Sequence, residues 1–559
     1  MAGDPPYHRS REQDKALVYR GVMMYVMAYA PYGAEGIIIR VEADIRRGIP
    51  GIDITGLAEG AVREARERVM AAFRNSGYIF PPERILINLA PAGVRKDGTY
   101  LDLPIALAVM AAANMAAGLE QLMVMGELEL SGRLRPVRGV LAATVAGLKA
   151  GIQEFIVPAE NAREAAILAA GHFSGVATLG EAVHALRIRA ETGSLPAFVG
   201  EPLDREDARD PEHEAEGDFA EVRGQGRYKR ALEIAAAGGH NLLVFGPPGA
   251  GKTMLARRMP SIMAPLETDE AVEVTRLYSL AGHLARGLSL DTEGLITRPP
   301  FRSPHHSASP EGILGGGKTV RPGEISLAHW GVLFLDEAPE FRANVLQSLR
   351  EPLEDRVISI SRAEGPVRLP ADFQLILAAN PCPCGRLGMH LPAETGRGSS
   401  LETAVSCFCS AEEIRRYWRK LGAALLDRME LRVGVHTPKI QALQQRGEET
   451  SAEIRQRVLR AVALQQKRFK NTPVRRNARM APELIERYCG LTAEAEAVFR
   501  VAAAKLGLSG RAFHGVLRVA RTIADLEGTD PILPVHILEA IQHRRLGDDP
   551  YDILTIDKM

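Results

Sequence analysis

The sequence predicts a multidomain α/β protein that has a phosphate-binding core and a helical C-terminal region. Three observations support this prediction: a glycine-rich loop within the run 241–259, an apolar run at 331–337 that ends in two carboxylates, and a shift toward Ala, Leu, Gln, Arg and Glu beyond Val435. A strand, a loop and a helix followed by further apolar strands are typical of parallel α/β sheets. The length of 559 residues leaves room for about three or four domains.

The glycine-rich loop matches the complete phosphate-binding pattern G-x-x-x-x-G-K-[ST]. Its residues are Gly246, Pro247, Pro248, Gly249, Ala250, Gly251, Lys252 and Thr253. Glycines let the backbone turn so tightly that several N–H groups converge on one anion, and the following helix points its positive end to the same place. The Lys252 ammonium can reach the β- and γ-phosphates of ATP, and the Thr253 hydroxyl can bind Mg²⁺. The loop therefore predicts ATP and Mg²⁺ as cofactors.

Two further strand ends supply polar groups that ATP hydrolysis needs. The apolar run 331–335 ends in Asp336 and Glu337, a Walker B pattern in which Asp336 holds Mg²⁺ and Glu337 orients the attacking water. The next apolar run, 373–379, ends in Asn380, which we expect to hydrogen-bond the γ-phosphate or the water. A lone Asn at a strand end is usually a turn former, and only its position after the two Walker motifs favours the functional interpretation.

Composition restricts the compartment and the partners. The formal net charge is zero, so a surface that binds nucleic acid must be local. The longest uncharged stretch of the N-terminal region, 103–119, is shorter than the roughly 20 residues of a membrane span, and we expect a buried helix. Five cysteines in a chain of this length are not a disulfide scaffold, so we expect a cytoplasmic protein without a membrane contact.

Changes in composition suggest the domain boundaries. Residues 201–218 contain nine acidic residues, two arginines and almost nothing apolar, which is typical of a solvated linker. We therefore place an N-terminal domain at 16–190, an acidic linker at 191–219, an ATPase domain at 220–435 and a helical C-terminal domain at 436–559. We find no internal repeat.

The chain resembles the ComM (YifB) family of magnesium-chelatase-like AAA+ ATPases over about residues 16–548. The strings that carry the resemblance follow one another in a single order and are GIPG at 48–51, NLAPA at 88–92, LDLPIAL at 101–107, RALEIAAAGGHN at 230–241, FRSPHH at 301–306, PGEISLAH at 322–329 and NPCPCG at 380–385. The resemblance implies a Lon-protease-like α+β N-terminal domain, an AAA+ P-loop α/β core with a helix-2 insert, and a helical C-terminal lid. It also implies a hexameric ring that uses ATP for branch migration or helicase activity on DNA during recombination of incoming DNA.

The resemblance assigns two more residues to the ATP site. The string LLDR at 425–428 is similar to the segment that carries the arginine finger in related ATPases, so Arg428 would cross a subunit interface to the neighbour's γ-phosphate. Arg511 resembles the sensor-2 arginine, which would report the nucleotide state to the lid. A surface ion pair remains the alternative for Arg428, and Arg518 and Arg521 remain alternatives to Arg511.

The Lon-like region raises another function, peptide hydrolysis by a Ser nucleophile and a Lys base. The string RKDGTY at 95–100 is similar to the segment that carries the nucleophile, and Tyr100 occupies the Ser position. The position that matches the Lys is Leu141. A phenol offers no primary alkoxide and a leucine offers no base, so we expect the fold without active proteolysis.

Four of the five cysteines form two C-x-C pairs, Cys382 with Cys384 and Cys407 with Cys409. The residues between the pairs, 385–406, are rich in Gly, Pro, Thr and Ser, and we expect them to form a loop. Four thiolates from two short turns suit tetrahedral Zn²⁺, which would help to fold such an insertion. Free thiols in a flexible loop are the alternative, since C-x-x-C is the commoner spacing.

DNA contact must depend on local features. Two β-prone runs, 357–362 and 367–369, flank a turn and predict a hairpin. In related ring helicases a hairpin here projects into the central pore, with a basic residue at the position that matches Arg362, where it would track phosphates. An ordinary hairpin with a solvated Arg362 is the alternative. We therefore expect a DNA motor, with a chelatase-like ATPase that remodels a protein complex as the second hypothesis.

Overall fold

The computed structural model describes residues 25–56, 60–94, 96, 98–168, 170–196, 217–284, 294–317, 320–362, 366–387, 390–392, 402–404, 407–437 and 448–544. Most of the predicted acidic linker, residues 197–216, lies outside the described residues, as do the hairpin turn at 363–365 and the two chain ends.

The N-terminal region is built on a seven-stranded mixed sheet. Its elements are β1 Tyr25–Ala30, β2 Ile37–Arg46, β3 Gly51–Thr55, α1 Gly60–Asn75, β4 Arg84–Ala90, α2 Asp102–Ala112, β5 Leu122–Val124, β6 Glu127–Leu128, β7 Leu134–Arg135, α3 Val140–Lys149, β8 Glu154–Pro158, α4 Ala162–Ala166, β9 His172–Val176 and α5 Leu179–Thr192. The sheet has the order β3-β4-β2-β1-β5-β8-β9, and β6 pairs separately with β7. The β1–β2 and β2–β4 ladders are antiparallel and the other four are parallel. This mixed α/β architecture agrees with the predicted class.

The apolar segment 103–119 forms a shorter helix than predicted. Helix α2 ends at Ala112, and its residues up to Ala111 are all buried. Asn114 adopts a left-handed backbone conformation (φ 56°) just beyond that end, and a right-handed helix cannot continue through it. The prediction of a buried helix is therefore right in kind, whereas the predicted C-terminal end is wrong.

The central region contains a five-stranded parallel sheet. Its strands in spatial order are β11 Phe301–Arg302, β14 Val332–Leu335, β17 Gln374–Ala379, β10 Leu242–Phe245 and β20 Leu431–Gly434. All four ladders are parallel, and β10, β14 and β17 are buried along their whole length. Strands buried on both faces read as continuous apolar runs, which is why the sequence predicted these three.

Short helices and hairpins surround this sheet. The helices are α6 Gly226–Gly238, α7 Lys252–Arg257, α8 Thr268–Ala281, α9 Pro310–Leu314, α10 Glu324–Leu327, α11 Ala343–Ser348, α12 Arg350–Asp355, α13 Ala411–Arg419 and α14 Ala423–Asp427. The antiparallel pairs are β12 Gly315–Gly316 with β13 Arg321–Pro322, β15 Val357–Ile360 with β16 Val367–Pro370, and β18 His390–Pro392 with β19 Glu402–Ala404. The β15–β16 pair confirms the predicted hairpin. The β18–β19 pair shows that the prediction of a plain loop over 385–406 is wrong in part.

The C-terminal region is helical from Ser451 onward, as its composition predicted. Its helices are α15 Ser451–Phe469, α16 Pro482–Tyr488, α17 Ala493–Leu506, α18 Gly510–Glu527 and α19 Pro534–Arg544. Buried apolar residues of these helices share one core with α6 and with β10 and β20. In the described ranges, no helix combines the length and the apolar character that a membrane span requires.

The N-terminal and central regions meet where α3 and α4 pack against α8. The Gly139 amide donates to the Ser279 carbonyl at 3.2 Å, and Leu280 belongs to the apolar cluster under the N-terminal sheet. The Ser279 hydroxyl donates to the partly buried Glu164 carboxylate, which also accepts the Leu141 amide at 3.0 Å. Burial raises the pKa of Glu164, and these hydrogen bonds act in the opposite direction. Leu141 therefore lies in a contact between the two regions.

Candidate ATP-binding site

The phosphate loop connects β10 to α7 at the carboxyl ends of the parallel strands. Gly249 (φ 77°) and Gly251 (φ 84°) adopt the left-handed conformation that glycine takes without strain. A Cβ atom on Gly246 would lie 2.2 Å from the Val435 carbonyl oxygen, so the loop also needs a glycine at this close approach. The local backbone therefore favours glycine at all three positions, at two because of the left-handed conformation and at one because of the close approach.

Lys252 lies across the inside of the loop. Its ammonium donates to the Gly246 carbonyl at 2.7 Å, to the Pro247 carbonyl at 2.9 Å and to Asn380 Oδ1 at 3.1 Å. Burial lowers the pKa of Lys252, and the Asp336 and Glu337 carboxylates raise it. Among the described residues, the hydrogen-bond partners of the ammonium are neutral oxygens, and a phosphate oxygen would be a stronger partner for it.

Thr253 and Asp336 meet opposite the lysine. Thr253 Oγ1 donates to Asp336 Oδ2 at 2.6 Å, and Asp336 Oδ1 accepts the Glu337 amide at 3.0 Å. A hydroxyl and a carboxylate beside a phosphate site are oxygen ligands of the kind that Mg²⁺ takes together with substrate phosphates. The residues present therefore fit Mg²⁺.

Asn380 reaches the site through the strand register. The β10–β17 ladder pairs Phe245 with Ala379, so Asn380 stands beside Gly246 at the same edge of the sheet. Its side chain accepts the Lys252 hydrogen bond, which places it next to the phosphate loop as predicted. Its role toward the γ-phosphate or the water stays a prediction.

Glu337 follows β14 in a strained turn. The residue has a φ of 50°, and its side chain is half-exposed. His306 Nδ1 lies 4.0 Å from Glu337 Oε2, and the His306 ring lies 4.1 Å from that of His305. Sequence reasoning missed this contact. The available signal was the position of the FRSPHH string after β11, the strand adjacent to β14.

Arg428 and the phosphate loop lie at opposite ends of the strands of the central sheet. The β10–β20 ladder pairs Leu242 with Leu431, so Arg428 precedes the amino end of β20. The loop follows the carboxyl end of the parallel strand β10. A four-residue strand spans about 13 Å, and the loop extends the separation further. Arg428 therefore does not share a site with the phosphate loop of its own chain.

Arg428 lines a cavity of about 230 Å³ that we call the arginine cavity. Six arginines and three carboxylates line it, namely Arg356, Arg428, Arg479, Arg511, Arg518, Arg544, Glu354, Asp427 and Glu430. One Glu354 oxygen lies 2.5 Å from a terminal nitrogen of both Arg428 and Arg511. Burial lowers the pKa of Arg428, while Glu354 raises it. Sequence reasoning missed Glu354, because it precedes Arg428 by a long stretch of chain and no motif includes it.

Exposure and contacts distinguish Arg511 from its two alternatives for the sensor-2 role, Arg518 and Arg521. Arg511 is half-exposed, whereas Arg521 is 2% exposed and is held by Asp525 at 3.0 Å. Arg518 lines the same cavity but donates to the Ala478 carbonyl at 2.7 Å. Arg511 is thus the most available of the three arginines, and Arg521 is part of the core.

The hairpin arginine contacts the segment between β12 and β13. Arg362 follows β15 and donates to the Gly317 carbonyl, in the segment between β12 and β13. The hairpin and the segment that follows His306 therefore touch. Arg362 is exposed, which is compatible with a DNA contact and with a solvated side chain.

The four paired cysteines come together, although the two pairs are far apart in sequence. The Sγ atoms of Cys382, Cys384, Cys407 and Cys409 all lie within 4.8 Å of one another, and we call this group the cysteine cluster. Cys489 lies elsewhere and is buried at the end of α16.

The two positions matched to a Lon catalytic pair are packed. Leu141 is fully buried in α3, and Tyr100 packs against the N-terminal core from the short turn before α2. Neither side chain offers the chemistry of a Ser–Lys pair.

The loop, the two carboxylates and Asn380 come together at one edge of a parallel sheet, which is the arrangement expected of a P-loop nucleotide site. The family described as "Magnesium chelatase, subunit ChlI" matches residues 218–443, "Subunit ChlI of Mg-chelatase" matches 41–161, and "Magnesium chelatase, subunit ChlI C-terminal" matches 448–544.

Relatives match over nearly the whole length. The chain is 40% identical over 528 residues to the uncharacterized protein YifB of Salmonella typhimurium, covering 92% of this chain and 96% of that protein. It is 38% identical over 525 residues to the competence protein ComM of Haemophilus influenzae, covering 93% and 97%. A Lon protease of Desulfovibrio desulfuricans is 26% identical over 145 residues, which is 25% of this chain and 16% of the protease. The chain belongs to the ComM (YifB) family of magnesium-chelatase-like AAA+ proteins.

Proposed function

We propose that the protein is an ATP-hydrolysing motor that acts on DNA as a hexameric ring, with each ATP site shared by two subunits. The observation that carries the proposal is the position of the arginine cavity, at the sheet edge opposite the phosphate loop. An arginine that cannot serve its own nucleotide can serve that of a neighbour, where it stabilises charge on the γ-phosphate. A repeated head-to-tail contact of this kind closes into a ring.

The hydrolytic roles follow from the geometry around the loop. Lys252 would exchange its carbonyl partners for the β- and γ-phosphates, while Thr253 and Asp336 hold Mg²⁺. Bound Mg²⁺ would neutralise charge on the phosphates. Glu337 would orient and polarise the attacking water, and Asn380 would hydrogen-bond the γ-phosphate or that water. Arg428 and Arg511 of the adjacent subunit would complete the site.

DNA is the substrate that we favour. The family includes a competence protein, and we propose that this protein acts on single-stranded or branched incoming DNA. Arg362 and the touching segment around Gly317 would face the strand in the ring's pore, where basic residues on loops track phosphates. Branch migration is the activity that such tracking on branched DNA would produce.

One observation favours a second hypothesis, a chelatase-like ATPase that remodels a protein complex. Residues 451–480 contain nine Lys or Arg and one acidic residue, Glu453. This basic stretch does not form an open basic surface throughout, since several of its arginines are paired with acids inside the fold. These pairs are Arg457 with Glu233, Arg468 with Asp525 and Arg479 with Asp372. Together with the zero net charge, this pairing reduces the surface available for DNA.

We propose the following domain roles. Residues 16–190 form a pseudo-peptidase domain without proteolytic activity, and 191–219 form the acidic linker. The ATPase domain at 220–435 contains the helix-2 insert between β11 and β14. The lid at 436–559 carries Arg511. Tyr100 and Leu141 support the loss of peptidase chemistry, because neither can act as nucleophile or base.

An ATPase assay with and without forked or four-way DNA tests the proposal. We expect DNA to stimulate hydrolysis and the protein to move the branch point, with Lys252→Ala as the inactive control. Hydrolysis that branched and single-stranded DNA both leave unchanged would instead support the remodelling hypothesis.

A further inference from the structure

We propose that the cysteine cluster binds one Zn²⁺ ion, and that this metal site holds Asn380 in position beside the phosphate loop. The first half concerns a structural metal and is independent of the reaction. The second half rests on the proposed ATPase function, since it concerns the rate of hydrolysis.

The sulfur positions have the dimensions of a tetrahedral metal site. Cys382 Sγ lies 3.3 Å from Cys384 Sγ and 3.6 Å from Cys407 Sγ, and the latter two are 3.5 Å apart. Four thiolates at about 2.3 Å from Zn²⁺ have sulfur-to-sulfur separations of about 3.8 Å. The observed separations are close to this value, although 22 residues lie between the two pairs.

Other roles for four clustered sulfurs fit less well. All four cysteines are free, and the sulfur separations far exceed a disulfide bond of about 2.05 Å. An iron–sulfur cluster places several iron atoms among its cysteines and needs wider spacing than the 4.8 Å limit here. A single tetrahedral thiolate site is typical of zinc, because Zn²⁺ has no geometric preference of its own and binds soft ligands well.

The cluster lies directly against the ATP site. Cys382 is buried and follows Asn380 by two residues at the end of β17. A Cβ atom on Gly385, in the turn after the first pair, would lie 3.0 Å from Pro248 of the phosphate loop. The Pro381 carbonyl accepts a hydrogen bond from the Trp418 indole at 3.1 Å. The turn that carries the first pair therefore contacts both the phosphate loop and α13, with Cys382 buried and Cys384 exposed.

The second cysteine pair connects the cluster to the start of helix α13. Cys409 directly precedes Ser410, which begins α13 with a capping box to Glu413. A metal bound by both pairs would tie the end of β17 to the start of α13. Since Asn380 stands between β17 and the first pair, the metal would restrict the positions that its side chain can take.

Metal analysis of the full chain tests the first half. Protein purified without chelators should contain about one Zn per chain, and Co²⁺ exchanged into it should show the visible absorption of a tetrahedral thiolate site. The double variant Cys384→Ser, Cys409→Ser, which removes one ligand from each pair, should lose both signals. The matched control Cys489→Ala should keep them. Wild-type protein with almost no metal, with iron in place of zinc, or with zinc that the double variant retains would overturn the assignment.

Steady-state kinetics test the second half. If the double variant keeps its circular dichroism spectrum, we expect kcat for ATP to fall about tenfold while KM changes less than about threefold, because the loop that binds nucleotide is intact. Should the variant unfold, chelation of zinc from folded wild-type protein replaces it. An unchanged kcat in metal-free folded protein would overturn the positioning role. Absence of ATP hydrolysis in zinc-loaded wild type would contradict the proposed function and leave the metal assignment standing.

Discussion

The N-terminal and central regions are both sheets covered by helices. They differ in the residues that occupy the positions where the sequence comparison predicts a catalytic or binding group. In the central sheet, polar residues follow adjacent strand ends and meet, as when Lys252 donates to Asn380. In the N-terminal region, Leu141 stands at the position matched to a catalytic base and is fully buried. Strand ladders and buried apolar area stabilise the N-terminal sheet whatever residues stand at these two positions.

The contact between the two regions involves the same helix as Leu141. Leu141 lies on α3, and its amide donates to Glu164, which also accepts the hydroxyl of Ser279 from α8. Helix α3, which carries the position matched to the Lon lysine, thus packs against α8 of the central region. Substitutions at the central site should therefore change the rate of ATP hydrolysis, whereas removal of the Tyr100 hydroxyl should have little effect on that rate.

The largest effect on rate should come from Arg428→Ala. We expect hydrolysis to fall by about 10³-fold or more, the typical contribution of an arginine finger, with nearly unchanged ATP affinity. Affinity should persist because the phosphate loop lies at the other sheet edge. The matched control is Arg419→Ala, at an exposed residue of α13. The measurements are the turnover of ATP and the affinity for nucleotide in both variants. Full activity in Arg428→Ala would leave Arg428 as the ion pair with Glu354 alone.

Glu337→Gln should be the next largest change. Loss of the carboxylate that orients water should slow hydrolysis by about 10²-fold or more, while Lys252 and Thr253 still bind ATP. Sedimentation should show trapped rings in the presence of ATP. Glu340→Gln, in the same turn, is the control and should retain turnover. Wild-type rates in Glu337→Gln would refute the Walker B assignment.

His306→Ala should give an intermediate effect. The ring lies 4.0 Å from the Glu337 carboxylate, and a positioning contact of about 1 kcal/mol corresponds to about a fivefold change in rate. We expect kcat to change while ATP affinity does not, with the adjacent His305→Ala as the control. Equal effects from both histidines would assign the change to the segment as a whole.

The smallest effect should come from Tyr100→Phe. Removal of the phenol oxygen should leave ATP turnover within about twofold and should not alter peptide hydrolysis, which we expect to be absent in both proteins. A fluorogenic peptide assay beside the ATPase assay checks both statements. Peptidase activity that wild type shows and Tyr100→Phe lacks would contradict the expectation that the N-terminal region has no peptidase chemistry.

Much of this site could be predicted because its residues follow the strands that hold them. Asp336 and Asn380 end buried apolar runs, and parallel strands bring such ends to one edge of the sheet. Glu354 and His306 could not be predicted in this way, since their partners depend on how separate elements pack. The β18–β19 ladder was missed for a related reason, because short strands between turn-forming residues have no distinctive periodicity.

The central claim, a site shared between subunits, is tested most directly by mixing Arg428→Ala with Lys252→Ala. Each protein alone should be inactive, since one lacks the finger and the other lacks the lysine of the loop. In an equal mixture that co-assembles at random, about a quarter of the contacts between subunits combine an intact loop with an intact finger. We therefore predict that hydrolysis recovers to about a quarter of the wild-type rate. No recovery in mixtures shown to co-assemble would contradict the account.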